Sequence, residues 1–550
     1  MRNDEAASSA PGRQRSEPAG ARAVHAGAGQ RGAAALAPKA GEILTGDRPR
    51  YAQAEGSSVR PGHLVMIDME GTALDAATAD FIRTHDIRAV CLFRKNLGSE
   101  SEVQRLCADL RELMGPEALI GIDQEGGSVV RATFLPQPPA AMALGAADDA
   151  ALAEAVGAAV ARGLRGLGIN WNFAPVLDIN NNPANPVIAE RSFGEDAERV
   201  TRLAGAWMRG SLAEGVACCV KHFPGHGDTH VDSHHALPAV DKSLAQLEAL
   251  ELKPFRALAP EAPAVMTAHI VYPQIDPEHP ATLSEAVLNG ILRNSFGFDG
   301  VVITDALMMK AIHDRYGHAR AAVLALQAGA DLVLAQGARH EQIAALEAID
   351  AALRDGSVAL TRANEARTRV AALAARFPIR AERYADAQRT TDDALMRAAW
   401  ARGLVALGTP RAPHVDERLR VFTQRSVPCD GVSEAGPSAE QIAALFAGFA
   451  DVEFIALDRL DDLGGSAMPR DGRFNVLASN HRARYGAAAA GWRPDLHLVL
   501  WNPYQALDVA APALISWGYA DGALAAVKAW LEGHASALPT PPVTLAPRAA

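Results

Sequence analysis

The sequence predicts an α/β protein, a (β/α)8 TIM-type barrel followed by a smaller α/β sandwich, on three observations. Eight short, almost wholly apolar runs recur between His63 and about Phe377, each followed by a longer amphipathic stretch. Strands that read as continuous apolar runs are buried on both faces, as in a parallel sheet covered by helices. Polar residues return at the ends of these runs, where barrel enzymes place their chemistry. A second, shorter set of apolar runs follows from about Asp393, which asks for a separate sheet. A doubly wound open sheet is the alternative. It would carry a glycine-rich phosphate loop after its first strand, and the segment there, IDMEGTALD, is no such loop.

In chain order, residues 1–58 are rich in Ala, Gly, Arg, Pro and Ser without apolar periodicity and are expected to be a disordered extension. Residues 59–377 are the barrel. Its strands are HLVMID (63–68), IRAVCLF (87–93), EALIGID (117–123), GINWNFAPV (168–176), VACCVKHF (216–223), APAVMTAH (262–269), GVVITDA (300–306) and ADLVLAQ (330–336). Helices are expected between them, for example over 149–166 and 198–215. A further helix leads into a charged linker at 378–392. The sandwich, 393–550, shows GLVALG, LRVFTQ, DVEFIALD, RFNVLASN and DLHLVLWNP, and its role is read as structural. The tail ALPTPPVTLAPRAA is expected to be extended.

Composition narrows the function. Apolar residues make up 49% of the 550 and charged residues 21%, ordinary for a globular enzyme. A net charge of -11 disfavours a polyanionic partner, so nucleic acid is not expected. No run is long enough to span a membrane. The first residues lack the apolar stretch of a secretory signal, and the odd number of cysteines reads as free thiols in a reducing compartment. The expected location is therefore cytoplasmic.

The densest chemistry lies in KHFPGHGDTHVDSHHALP (221–238). His222, His226, His230 and His234 recur every four residues, which on a helix would make a metal-binding face. FPGHG cannot be a helix interior, so the periodicity is accidental and no metal is expected. In Asp232-Ser233-His234 a carboxylate two residues from a histidine can accept its N–H, which fixes the tautomer and raises the basicity of the ring. Such a pair can give a proton to a leaving group and later take one back. Asp305 ends the apolar strand GVVITDA. It reads equally as a reacting carboxylate or as the N-cap of a helix starting near Ala306.

These two segments together resemble glycoside hydrolase family 3, and specifically its bacterial β-N-acetylglucosaminidase branch. GIDQEGGSVVR (121–131), NFAPVLDIN (172–180), ERSFGED (190–196) and ATLS (281–284) are similar to other markers of that branch, in the same order. The resemblance runs from about residue 60 to 375 and is weaker beyond. It implies a retaining, exo-acting β-N-acetylglucosaminidase with Asp305 as nucleophile and His234, oriented by Asp232, as acid/base. Asp123, Arg131, Arg191, Lys221 and His222 would bind the terminal sugar. His226, Asp228 and His269 would brace the loop or line the site, and His230 and His235 would be loop residues. The substrate would be terminal β-linked GlcNAc on peptidoglycan fragments met in cell-wall recycling, a small carbohydrate or muropeptide. No cofactor is implied, since side chains cover every proton and covalent step. Three other readings compete: a β-N-acetylglucosaminide phosphorylase, a β-glucosidase or β-xylosidase of the same family, and an inactive sugar-binding module.

Overall fold

The computed structural model describes residues 59–380, 382–464 and 468–545. The extension expected over 1–58 and the last five residues of the tail lie outside them. Eight parallel strands form one sheet, ordered Val301–Ile303, Ala264–Thr267, Ala217–Phe223, Trp171–Asn172, Leu119–Ile122, Ala89–Leu92, Val65–Ile67 and Val333–Ala335. A parallel bridge from Ile303 to Leu332 joins the two edges, so the sheet curls into the predicted barrel. Each apolar run of the sequence supplies one strand, shorter than the run itself because the flanking residues already turn toward the helices.

Side-chain alternation explains why the runs are apolar throughout. Met66, Cys91, Cys219, Met266 and Leu334 point into the barrel, with Trp171 and Phe173 filling its lumen. Their neighbours Val65, Ile67, Val90, Cys218 and Val265 point outward beneath the helices. The adjacent cysteines at 218 and 219 thus face opposite layers and are unpaired. The helices obey their sequence signals. Ala150–Leu167 starts at Asp149, whose carboxylate accepts from Leu152 N–H, and stops at Gly168 in the left-handed region. Ala197–Ala213 starts at Asp196 in the same way.

The second sheet has six strands, one more than the sequence runs suggest. Its order is Val405–Leu407, Ala513–Ile515, Leu496–Val499, Phe474–Ser479, Arg418–Gln424 and Asp451–Leu457. Only the first pair is antiparallel. Val421 and Val476 pack on one face with Ile442 and Val527, and Phe422 and Leu477 on the other with Trp492, so both faces are covered. The helix Asp386–Arg402 occupies the second half of the segment read as a linker and the start of the segment read as the sandwich. Its Trp400 packs with Met142 of the barrel side and with Trp517 and Ile515 of the sheet, so one apolar core runs across the junction. The described part of the proline-rich tail, up to residue 545, is attached to the second domain. Leu538 pairs with the Leu404–Ala406 backbone, and Val543 and Leu545 are buried. Among the described residues no helix is long and apolar enough to cross a membrane.

Candidate active site

Five barrel strands deliver polar side chains to their C-terminal ends. Asp123 follows strand Leu119–Ile122, Lys221 and His222 close strand Ala217–Phe223, His269 follows Ala264–Thr267, and Asp305 follows Val301–Ile303. Asp178 arrives on the chain beyond Trp171–Asn172. They surround a cavity of about 360 Å³, which Asp123, Arg131, Arg191, Lys221, His222, His234 and Asp305 all line. Of the eight residues given catalytic or sugar-binding roles in the sequence, only Asp232 does not line it.

Asp232 stands behind His234. Its Oδ1 accepts from both the backbone N–H of His234 and ring Nδ1, at 2.9 and 2.8 Å. Burial works against the Asp232 charge, but the hydrogen bond and the field of His234 hold its pKa far below the usual carboxylate range. With Nδ1 committed to Asp232, Nε2 is the ring atom left for a ligand in the cavity.

The loop carrying this pair is tied down from below. Asp178 is fully buried, and its Oδ1 accepts from the backbone N–H groups of His222 and His226 while Oδ2 meets His222 Nδ1 at 2.7 Å. Burial opposes its ionisation, yet the His222 ring keeps its pKa lowered. His226 then bonds Thr229 Oγ1 at 2.9 Å and Ser233 Oγ at 3.0 Å, so it props the residue between Asp232 and His234. Burial pushes the His226 pKa down to about 4, so the ring is neutral near pH 7. The four loop histidines turn to separate partners: Asp178, Thr229 with Ser233, Asn182 and Asp232.

Asp305 caps no helix. The following helix, Lys310–Ala328, has Met309 at its N-cap, and Asp305 Oδ1 accepts only from the N–H of Ala306. The capping alternative is thereby set aside. The carboxylate is half-buried, which opposes its ionisation, but the rings of His269, His222 and His234 around it hold its pKa below the ordinary value. His269 braces this corner. It meets Thr282 Oγ1 at 2.8 Å on one side and the Ala306 carbonyl at 3.0 Å on the other.

The basic residues are held in a carboxylate lattice. Arg191 makes two 2.8 Å bonds to Glu125, and Lys221 bridges Asp123 at 2.7 Å and Glu125 at 2.6 Å. Burial opposes the charge of Lys221, but Asp123 and Glu125 raise its pKa. Arg131 donates to Glu434 at 2.9 Å and lies 4.0 Å from Asp123. Glu434 belongs to the second sheet domain, whose Gly431 and Val432 also line the cavity. Val432 packs there on Val129, Val187 and Ile188. The structural role expected for that domain is therefore corrected: its Gly431 and Val432 line the cavity and its Glu434 holds Arg131.

Sequence reasoning left Glu125, Glu434 and Val432 unnamed. Glu125 had a signal, since it lies two residues beyond Asp123 and extended backbone puts both on one side. The other two, some three hundred residues from Arg131, had none.

Residues 59–373 match the glycosyl hydrolase family 3 N terminal domain. The chain belongs to glycosyl hydrolase family 3. Its relatives include a beta-hexosaminidase of Chromobacterium violaceum, 40% identical over 294 residues, which are 52% of this chain and 82% of that protein. A beta-hexosaminidase of Pseudomonas aeruginosa is 37% identical over 287 residues, 52% of this chain and 86% of the relative. A solved family 3 beta-N-acetylglucosaminidase from Paenibacillus sp. str. FPU-7 superimposes with a TM-score of 0.74 at 31% identity, covering 88% of this chain and 98% of that one. That coverage is more than the barrel alone can supply. This family 3 protein is thus a glycoside hydrolase with the family's barrel and α/β sandwich.

Proposed function

We propose that the protein is a retaining, exo-acting β-N-acetylglucosaminidase. The observation that carries the reading is the meeting of Asp305 and the Asp232-supported His234 on one cavity. The names of the relatives support the acetamido sugar as substrate. A cavity of about 360 Å³ suits one terminal pyranose rather than an open chain of them.

In the first step the Asp305 carboxylate attacks the anomeric carbon while the bond to the leaving oxygen breaks. His234, as imidazolium, gives its Nε2 proton to that oxygen. A covalent glycosyl ester and a neutral ring remain. In the second step bare Nε2 takes a proton from water, whose oxygen attacks from the face that the leaving group vacated and displaces Asp305 on the other, so two inversions retain the configuration. Asp232 stays anionic throughout and offsets the imidazolium charge. Asp123, Arg131, Arg191, Lys221 and His222 would bind the sugar hydroxyls and fix the ring for attack.

Hydrolysis is favoured over phosphorolysis because Arg131, Arg191 and Lys221 are each already paired with carboxylates, which leaves none of them to neutralise a phosphate dianion. The test is turnover of an aryl β-N-acetylglucosaminide beside the matching β-glucoside, with and without phosphate. Strong preference for the acetamido sugar, indifferent to phosphate, is expected, as is loss of turnover in Asp305→Ala. A sugar phosphate product makes the enzyme a phosphorylase, and a glucoside preference overturns the substrate. We extend the reading to peptidoglycan fragments handled in the cytoplasm during wall recycling. Turnover of a GlcNAc-anhydromuropeptide well above that of chitobiose is the expected result.

A further inference from the structure

A second group of ligating side chains lies outside the cavity, just behind the segment that carries Asp305. His313 and His318 come from the helix Lys310–Ala328, and Glu341 from the first turn of Arg339–Asp355. Five residues apart, two side chains on an unbroken helix stand about 140° from each other. Here Gly317 breaks the helix with φ 67° and ψ 165°, a conformation that glycine adopts and side-chain-bearing residues avoid. The break brings the two imidazoles to a centroid separation of 5.3 Å.

The hydrogen bonds define what each ring can offer. His318 Nε2 is 2.8 Å from the carbonyl of Gln336, which can only accept, so Nε2 carries the proton and the neutral ring presents Nδ1 bare. That Nδ1 is buried, has no hydrogen-bond partner, and faces Glu341 Oε1 at 3.4 Å. Two acceptors turned toward one another call for a positive charge between them. His313 Nε2 lies 2.9 Å from the same carboxylate oxygen, and its Nδ1 can keep a proton beside Asp314 Oδ1 at 3.7 Å. The three ligand atoms fall within 4.8 Å of one another. In a tetrahedral zinc site, bonds of about 2.0–2.1 Å set ligand atoms roughly 3.3–3.5 Å apart, close to the spacing of His318 and Glu341. A ligating histidine that donates its other N–H to a backbone carbonyl is the usual outer-shell arrangement around such ions.

We propose that His313, His318 and Glu341 form a binding site for a divalent transition-metal ion of the zinc class, with water as fourth ligand. Two imidazoles and one carboxylate select zinc-like ions over magnesium or calcium, which take oxygen sets. None of the three residues lines the catalytic cavity, but Gln336, Met309 and Lys310 do. The ion therefore clasps the chain after Asp305 to the chain after the eighth strand, and stiffens that wall of the active site.

The test uses the full chain, freed of metal with a chelator and titrated calorimetrically with zinc chloride. Wild type is expected to bind one zinc at this site and to melt at higher temperature with zinc than with chelator. His318→Ala and Glu341→Gln should each weaken that binding by more than about tenfold and abolish the melting shift. His234→Ala should keep both, which separates this site from any ion held by the catalytic pair. Cobalt(II) should give the intense visible bands of a four-coordinate ion in wild type and not in His318→Ala. If His318→Ala does not fold, the half-exposed His313→Ala decides in its place. Absence of zinc binding, equal binding by wild type and the variants, or loss of binding in His234→Ala alone overturns the proposal. In those outcomes the group is a hydrogen-bonded histidine–glutamate cluster.

Discussion

Glu125 neutralises two buried cations at once, Arg191 through a two-bond fork and Lys221 through a single contact. Glutamine in its place keeps the shape but leaves the buried Arg191 without its carboxylate and Lys221 with Asp123 alone. Breaking a buried pair by removing one partner costs about 3–5 kcal/mol, so Glu125→Gln should lower stability to denaturant by that order. The pH dependence has a defined sign. Burial opposes ionisation of Glu125, but Arg191 and Lys221 hold its folded pKa well below the ordinary 4.5. Its contribution is thus complete above the ordinary carboxylate pKa and fades as pH falls toward the depressed folded value. The stability gap between wild type and Glu125→Gln should be full at pH 7 and shrink in acid. A gap unchanged with pH would mean that packing, and not charge, holds this corner. Asp305, Asp123 and His222 were legible as polar residues ending apolar strands. Glu125 was signalled only by its place two residues beyond Asp123, a signal obscured because QEGG reads as an exposed turn until the hairpin Gln124–Gly126 with Val129–Val130 folds it inward.

At the level of elements, the loop between Phe223 and Pro238 has no regular structure and is placed by backbone proximity. A Cβ on Gly227 would lie 1.7 Å from the carbonyl oxygen of Ile179, so this position admits no side chain unless the loop lifts. Lifting it pulls His226 off Asp178 and with it the prop beneath Ser233 and the His234 pair. Gly227→Ala should therefore reduce kcat by about a hundredfold, the order expected when a reacting group moves by about an ångström. Its melting temperature should change little, since the loop sits on the rim of a barrel whose core it does not fill. Equal losses in stability and activity would show the loop to be part of the folding core. The eight barrel strands were legible because burial on both faces leaves near-continuous apolar runs, each followed by an amphipathic stretch. The strand Ala513–Ile515 was not, since three residues within VAAPALISWG give no periodicity. The helix Asp386–Arg402 was hidden differently: its charges suggested a linker, and only packing across the junction shows which face is buried.

At the scale of the molecule, the candidate cavity is lined by residues of both domains. The second domain is anchored beside it by Trp501 Nε1, which donates to Glu190 at 2.8 Å, and by Tyr504, whose hydroxyl bonds Asn180. From that anchor Glu434 reaches Arg131, and its backbone N–H donates to the Ser128 carbonyl at 2.9 Å. Arg131 is buried, and without Glu434 its nearest carboxylate is Asp123 at 4.0 Å, which is also the partner of Lys221. If Arg131 binds the terminal sugar as proposed, its guanidinium must be held in place by the second domain before substrate arrives. A hydrogen bond to a charged group is worth about 1.5–3 kcal/mol, so Glu434→Gln should raise KM for an aryl glycoside by roughly tenfold or more. The dependence of kcat on the leaving group should stay as in wild type, because the His234 pair and Asp305 lie on the barrel and keep their partners. That split matters: a general loosening of the fold would lower kcat for all leaving groups and broaden the melting transition as well. A barrel expressed without the second domain should show the larger defect, losing Val432 and Glu434 together, and added second domain should not restore it, since the apolar core around Trp400 is continuous with both parts.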